Sequence, residues 1–302
     1  MKSYRRYLLV LLCVWFTKSC FAGTLVQFQI YDSVNFYLGE VDVALYDQDK
    51  PITVSNFLRL IESGAYDNCF FHRLVPDFVL QGGGFFTYNV DSTNIFGPPY
   101  SNLGAVPNFG NIPDEIEVGP FHSNAYGTIA MAKAGAPGTA NSQFYFNLVN
   151  NPSLDSTNSA NSGGYTVFGQ VVRGTNILNE FNQYFALNNG IVDLVNNYGS
   201  TYPATVFTSL PNYLIGTNAP PYYDLIYFTV GVLKAQIQLQ TNGARQISWN
   251  TVNAVTNNVE YTTNLSTSWQ VLTNPVGTGF ATNVLDTSTN KTGRFYRIHV
   301  LF

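Results

Sequence analysis

Residues 24–31, Thr-Leu-Val-Gln-Phe-Gln-Ile-Tyr, alternate polar and apolar side chains, and residues 39–46 do the same. A period of two puts successive side chains on opposite faces of a strand. The two segments therefore predict a hairpin with one buried face. Between Pro51 and Ser63 the period changes. Val54, Phe57, Leu58 and Ile61 fall at i, i+3, i+4 and i+7, which predicts an amphipathic helix stopped by Gly64. Further short strands are predicted at 69–74, 77–81, 127–132, 143–148, 165–173 and 224–232, with a second helix at 175–185 carrying Ile177, Leu178, Phe181 and Phe185 on one side. Residues 186–222 are rich in Asn, Pro and Tyr, have weak periodicity and read as a long surface insertion. From Lys234 the character shifts again. Segments 235–240, 244–249, 257–263, 268–273, 279–285 and 294–300 are short, strand-like and separated by Asn, Gly and Thr turns. They predict a small all-β, sandwich-like module over residues 234–302.

The first 22 residues follow a different pattern. Lys2, Arg5 and Arg6 precede an apolar run from Tyr7 to Phe16, and small residues lead to Phe21-Ala22-Gly23. This is the layout of a secretory signal peptide cut after Ala22. The run is too short for a membrane span, which takes ~20 residues, and no later segment reaches that length, so no span is expected in the mature chain. The expected organisation is a signal peptide (1–22), a main domain (23–233) and the C-terminal module (234–302), in a protein exported to the periplasm or the extracellular space. Cleavage would remove Cys13 and Cys20 and leave Cys69 alone. No intrachain disulfide could then form, and the fold would rest on core burial.

Composition narrows the function. The chain has 14 Lys+Arg and 18 Asp+Glu among 302 residues, a formal charge of −4. Cleavage removes Lys2, Arg5, Arg6 and Lys18 and no acid, giving 10 − 18 = −8. That balance, with no Lys/Arg run after the first six residues, speaks against nucleic acid as a partner. Hydrophobic residues at 45% and charged ones at 11% speak against disorder. No Cys/His spacing suits a metal, and Gly82-Gly83-Gly84 is followed by no helical pattern that would make it a phosphate loop. Asp114, Glu115 and Glu117 read as a solvated loop rather than a metal site. His122 and His299 show no partner pattern.

Three segments carry candidate chemistry. In Phe70–Phe85, a single arginine, Arg73, stands among Phe70, Phe71, Leu74, Val75, Phe78 and Val79. Strand parity groups Arg73 with Phe71, and Val79 with Gln81. A guanidinium in an apolar cleft keeps its charge and offers oriented donors to a carbonyl or amide; alternatively, its stem packs on aromatics while its head reaches water. In the second segment, parity puts Gln143 and Tyr145 on one face and Phe144 and Phe146 on the other. The polar face suits a small peptide pocket, or Gln143 serves a buried backbone group. Third, Tyr165 begins a strand, either as a pocket rim or as the end of an ordinary core strand.

Phe-Phe-His-Arg-Leu-Val-Pro-Asp-Phe-Val-Leu-Gln-Gly-Gly-Gly-Phe (70–85), Gly-Thr-Ile-Ala-Met-Ala (127–132), Asn-Ser-Gln-Phe-Tyr-Phe (141–146) and Gly-Tyr-Thr-Val-Phe-Gly-Gln-Val-Val (164–172) occur in that order. Together they resemble the cyclophilin family of peptidyl-prolyl cis–trans isomerases, over about residues 24–232. The resemblance implies a mainly β fold, a closed eight-stranded antiparallel barrel with two capping helices. It implies that Arg73 is the catalytic arginine, bordered by His72 and Gln81. Phe78, Val79, Tyr145, Leu154 and Tyr165 would form the proline pocket. Ala132 and Lys133 would lie on the strand whose backbone holds the peptide, beside Gln143. Proline-containing polypeptides are the implied partners, of a monomer with no cofactor. Several positions depart from the best-known eukaryotic members: Val79 for Met, Tyr145 for Phe, Tyr165 for His, Lys133 for Asn, Ser153 for Trp and Gly84 for Asp. The loop 156–164 is also longer. Two other readings compete with the enzyme. One is a non-catalytic proline-peptide binding module. The other is a surface-binding protein acting through Trp249, Tyr261, Trp269, Phe295 and Tyr296, which otherwise read as sandwich core.

Overall fold

The computed structural model describes residues 24–32, 37–88, 102–156, 163–185, 190–193, 207–212, 225–233, 235–250, 256–264, 268–278, 281–288 and 293–301. The expected signal peptide, residues 1–22, lies outside them.

The alternating segments form strands β1 (Leu25–Asp32) and β2 (Tyr37–Leu45), paired antiparallel. Their inward residues, Val26, Phe28, Ile30, Val41, Val43 and Leu45, are buried. Helix α1 (Pro51–Glu62) buries Val54, Phe57 and Leu60, so its core stripe is turned slightly from the expected one. Strands β3 (Arg73–Val75), β4 (Val79–Gly82), β5 (Phe85–Thr87), β6 (Leu103–Ala105), β7 (Thr128–Met131), β8 (Phe144–Asn147) and β9 (Val167–Arg173) follow. Helix α2 (Thr175–Glu180) is shorter than expected and continues as a π-helical turn over Phe181–Phe185. Next come β10 (Ile191–Val192), β11 (Leu210–Pro211) and β12 (Ile226–Val232).

Eight of these strands form one antiparallel sheet in the order β12-β1-β2-β9-β7-β8-β4-β3. Its inner face is aromatic. Phe28 meets Phe146 at 5.2 Å and Phe144 at 5.4 Å, and Phe57 of α1 meets Phe144 at 5.7 Å. The offset and edge-to-face contacts are those that ring quadrupoles favour. Among the described residues the sheet is open, not the closed barrel expected: no ladder joins its end strands β3 and β12. On that side the residues ahead of β3 reach β12, through Phe71 N to Ile226 O (2.9 Å), Phe228 N to Cys69 O (3.2 Å) and a bridge between Phe70 and Tyr227. β3 is three residues long, and its Leu74 N–H is already donated to Ser209 O at 2.7 Å.

That last bond corrects the reading of residues 186–222. The described parts are not a surface insertion. β10 and β11 pair, and Val192, Phe207 and Leu210 are buried with Phe70, Phe85, Leu225 and Tyr227 in a second cluster. Periodicity could not show this, because two short apolar anchors in a polar stretch carry no repeat.

The acidic loop is also corrected. Glu115 is 1% exposed, and its carboxylate accepts from Ile52 N (3.1 Å) and Thr53 N (2.7 Å). Pro51 opens α1 without an N–H, so the next two donors are the ones left over. Lys50 is equally buried and donates to Glu115 O (2.9 Å), Val118 O (2.5 Å) and Pro120 O (3.0 Å). Burial lowers its pKa, against the pull of Asp49 and Glu115. His122 does have a partner: its Nε2 lies 2.7 Å from Asp49 Oδ2, and its ring stacks on Tyr46 at 3.8 Å. Cys69 is buried in the main core with its thiol directed at Ala65 O, and burial raises its pKa.

Beyond Leu233 lie β13 (Ala235–Leu239), β14 (Arg245–Asn250), β15 (Thr256–Thr262), β16 (Gln270–Thr273), β17 (Ala281–Asp286) and β18 (Phe295–Leu301). They make two three-stranded antiparallel sheets, β13-β14-β17 and β16-β15-β18. Ile247, Trp249 and Val259 are buried here, with Tyr296 and Ile298 packed against them. The aromatic residues expected in this core divide. Trp249 and Tyr296 join it, Phe295 is exposed, Tyr261 carries Arg294 on its face at 4.0 Å, and Trp269 carries Arg297 at 4.5 Å.

Candidate active site

Strand parity builds the site on the outer face of the sheet. Where Leu80, Phe144, Phe146, Ile129, Met131 and Phe168 turn into the core, their neighbours Val79, Tyr145, Ala130 and Val167 turn the other way. The strands β9, β7, β8, β4 and β3 are adjacent, so the outward residues meet. Register aligns Arg73 with Gln81, Gln81 with Tyr145, Tyr145 with Ala130, and Ala130 with Val167 in one cross-strand row. Val79, Ala130, Tyr145 and Val167 form a buried cluster, with half-buried Phe78, Ala132, Leu154 and Tyr165 around it. Phe78, Val79, Tyr145, Leu154 and Tyr165, the five residues expected around the proline, lie in this cluster, together with Ala130 and Val167, which were not singled out.

Arg73 stands at the end of that row. It is half-buried, its Cζ is 6.0 Å from the Phe78 ring centre, and among the described residues no carboxylate lies within ion-pair distance. Burial lowers its pKa from the ordinary guanidinium value, opposed by Tyr165. Phe71 is not its companion. Residues 71 and 72 precede β3, and Phe71 turns into the core against Phe228 at 4.8 Å. Parity failed here because the strand begins later than expected.

Gln81 Nε2 donates to Gln143 Oε1 at 2.7 Å, tying the two expected glutamines together. His72 is 4% exposed and sits behind them, its backbone N–H donated to Gln81 O at 3.0 Å and its ring edge-on to Phe85 at 5.2 Å. Its Nδ1 has no hydrogen-bond partner among the described residues. Burial, and then the positive charge of Arg73, push its pKa down to about 3, against a hydrogen bond with Gln143. The imidazole is therefore neutral near pH 7 and adds no second charge beside Arg73. A Cβ at Gly84 would lie 2.9 Å from His72 Cε1, so the absence of a side chain there leaves room for the ring.

Ala132 and Lys133 lie just beyond the end of β7. Ala132 N donates to Gln143 O at 2.9 Å. The Lys133 side chain is turned inward, where it pairs with Asp114 Oδ2 at 3.1 Å, donates to Gly164 O and lies 5.0 Å from the Tyr165 ring centre. It thus braces the rim by its ammonium. Leu154 and Tyr165 are joined through Tyr165 N to Leu154 O at 3.1 Å, which closes the base of the lengthened loop.

Behind the pocket runs a chain of buried amides that strand reasoning did not single out. Asp155 accepts from Ser123 Oγ (2.5 Å), Asn124 N (2.7 Å) and Asn124 Nδ2 (2.8 Å). A carboxylate is acceptor-only, so Asn124 must present its oxygen on the other side. There it accepts from Tyr145 OH (2.7 Å) and Asn147 Nδ2 (3.2 Å). Asn147 Nδ2 also donates to Thr128 Oγ1, and Asn151 Nδ2 donates to both Asn147 Oδ1 (2.7 Å) and Phe78 O (2.9 Å). The chain thus holds two pocket residues, one by its hydroxyl and one by its backbone. One signal was available: Asn147 shares Tyr145's parity on a buried strand, where a polar residue needs a partner.

The model of the family described as cyclophilin type peptidyl-prolyl cis-trans isomerase/CLD matches residues 26–195. The chain is 35% identical over 146 residues to peptidyl-prolyl cis-trans isomerase A of Dickeya dadantii, spanning 48% of this chain and 67% of that one. It is 34% identical over 146 residues to peptidyl-prolyl cis-trans isomerase cyp18 of Streptomyces antibioticus, spanning 48% and 78%. A crystal structure of a Cryptosporidium parvum cyclophilin type isomerase with the dipeptide Ala-Pro is similar at a TM-score of 0.42 and 20% identity, over 69% of this chain and 98% of that one.

Proposed function

The chain belongs to the family of cyclophilin-type peptidyl-prolyl cis–trans isomerases, and from that premise we propose that Arg73 is the group by which it accelerates rotation about X-Pro peptide bonds. Amide resonance sets a barrier of ~18–20 kcal/mol, and uncatalysed X-Pro rotation takes tens to hundreds of seconds. Reaching milliseconds needs roughly five decades, or about 7 kcal/mol. No bond breaks, so no nucleophile is required; resonance must be weakened in the twisted state. A guanidinium N–H beside the prolyl nitrogen meets a lone pair that exists only once conjugation is lost. That contact stabilises the transition state and not the ground state, and a preorganised contact of this kind contributes ~3–4 kcal/mol. Phe78, Val79, Tyr145, Leu154 and Tyr165, packed on Ala130 and Val167, seat the proline ring, and holding both sides of the bond supplies the remainder. The observation that carries this reading is a half-buried guanidinium that, among the described residues, has no carboxylate partner, at the end of the row that forms the apolar pocket.

The substrates we infer are proline-containing segments of polypeptides during folding. Basic residues followed by the apolar run 7–16 support export, with the working site periplasmic or extracellular. The two sheets beyond Leu233, with their own buried Ile247, Trp249 and Val259, support a separate sandwich-like module.

NMR exchange on an Ala-Pro peptide tests the proposal. The wild type should enhance exchange, and Arg73→Ala should lower kcat/KM by roughly two to three decades while circular dichroism stays native. Arg73→Ala with native structure and wild-type exchange overturns the assignment. A wild type that binds the peptide without enhancing exchange transfers the site to a binding role.

A further inference from the structure

The eight-stranded sheet has a seam between β3 and β12, and residues 207–212 lie in it. On one side Ser209 O takes the Leu74 N–H of β3 at 2.7 Å. On the other, Asn212 bridges Leu225, the residue before β12, and donates its own N–H to Gly190 O at 2.8 Å. Phe207 and Leu210 are fully buried. The Phe207 ring lies 4.9 Å from Phe85 and 6.1 Å from Phe70, and Phe85 in turn meets His72 at 5.2 Å. The segment falls beyond residues 26–195, the part that matches the family model.

A three-residue strand paired along one edge is weakly held. A catalytic group misplaced by about 1 Å can lose about a hundredfold in rate. We propose that residues 207–212 are a positioning element for Arg73, standing in for the missing ladder neighbour of β3. They hold the backbone on both sides of Arg73. One hold is the backbone at Leu74, directly after Arg73. The other is the stack Phe207–Phe85–His72, which ends on the residue directly before it. This rests on the reading of Arg73 as the catalytic group, and it gives the segment a task that its composition does not announce.

The test uses the full chain with Phe207→Ala and Phe207→Leu, each alone and combined with Arg73→Ala, and reads kcat and KM by peptide exchange together with thermal unfolding. Phe207→Ala should lower kcat about tenfold and Phe207→Leu about threefold, with KM within about twofold of wild type. Neither change should reduce the residual rate in the Arg73→Ala background. If Phe207→Ala does not fold, Phe207→Leu decides. A folded Phe207→Leu with lower Tm and wild-type kcat overturns the proposal, because the segment then only fills space. Equal losses in both backgrounds overturn it too. A wild type without exchange enhancement removes the isomerase reading and this inference together, whereas an active wild type with an unaffected Phe207→Leu removes this inference alone.

Discussion

Replacing Asn124 by leucine should expose how the pocket wall is held. Asn124 is fully buried and forms the junction between Asp155 and Tyr145. In Asn124→Leu, Asp155 keeps Ser123 Oγ and the backbone N–H, and Asn147 keeps Thr128. The Tyr145 hydroxyl loses its partner inside the protein, at about 1–3 kcal/mol, and one hydrogen bond to a carboxylate, about 1.5–3 kcal/mol, is lost as well. Together these amount to about 2.5–6 kcal/mol, a large share of a total stability of about 5–15 kcal/mol. Tyr145→Phe alone removes one donor while Asn124 still receives Asn147, so it should cost about 1 kcal/mol. The double variant has no orphaned hydroxyl. It should be less destabilised than the sum of the singles by about 1–2 kcal/mol, since removing both partners is gentler than removing one. Urea unfolding at constant m measures all three. Additivity within about 0.5 kcal/mol would show that Tyr145 and Asn124 do not communicate, and would refute the directed chain of amides.

Four shorter expectations accompany it. His72 has a folded pKa of about 3 against 6.5 free; the unfolded chain therefore takes up a proton that the folded one refuses. Its contribution is fully present above pH 6.5 and fades by up to about 1.4 kcal/mol per pH unit as pH falls from 6.5 toward 3. His72→Gln should abolish a fall in unfolding free energy of about 2 kcal/mol between pH 7 and 5, read by urea unfolding, and identical pH slopes would deny the buried neutral ring. Glu115→Ala should cost about 1–2 kcal/mol through loss of the α1 cap, read as a lower Tm; an unchanged Tm would place the carboxylate in solvent after all. A chain truncated after Leu233 should fold and isomerise near the full-length rate, and loss of activity in the folded truncation would make the C-terminal sheets part of the site. Intact mass of exported protein should begin at Gly23; a mature chain retaining Met1 would end the export proposal.

What the sequence disclosed followed the range of each signal. Alternation around Val26–Ile30 and Val41–Leu45, and the helical stripe through Val54 and Phe57, depend on neighbours within a few positions, and those elements formed where expected. Parity also separated Tyr145, in the outer cluster, from Phe144 and Phe146, in the core. It misassigned Phe71, because parity applies only inside a strand and β3 begins at Arg73. Partners distant in sequence stayed hidden. The Glu115 cap reaches residues 62 and 63 positions away, and Asn124 meets Asp155 across 31. Phe207 and Leu210 were invisible for a different reason: only the open seam between β3 and β12 gives two isolated apolar residues something to fill.

The closed-in sulfur of Cys69 has a bearing on the life of the chain before it is native. Disulfide exchange and alkylation both proceed through the thiolate, and burial keeps this thiol protonated. A folded molecule is therefore inert to an oxidant or a labelling reagent until the segment from Tyr66 to Phe71 comes apart. Labelling at Cys69, located by peptide mapping, becomes a clock for that opening, only four residues from Arg73. An unfolded copy has no such shelter. In an oxidising compartment two such copies could be bridged through this sulfur, so the rate of folding sets how long the chain is at risk of being trapped as a covalent dimer.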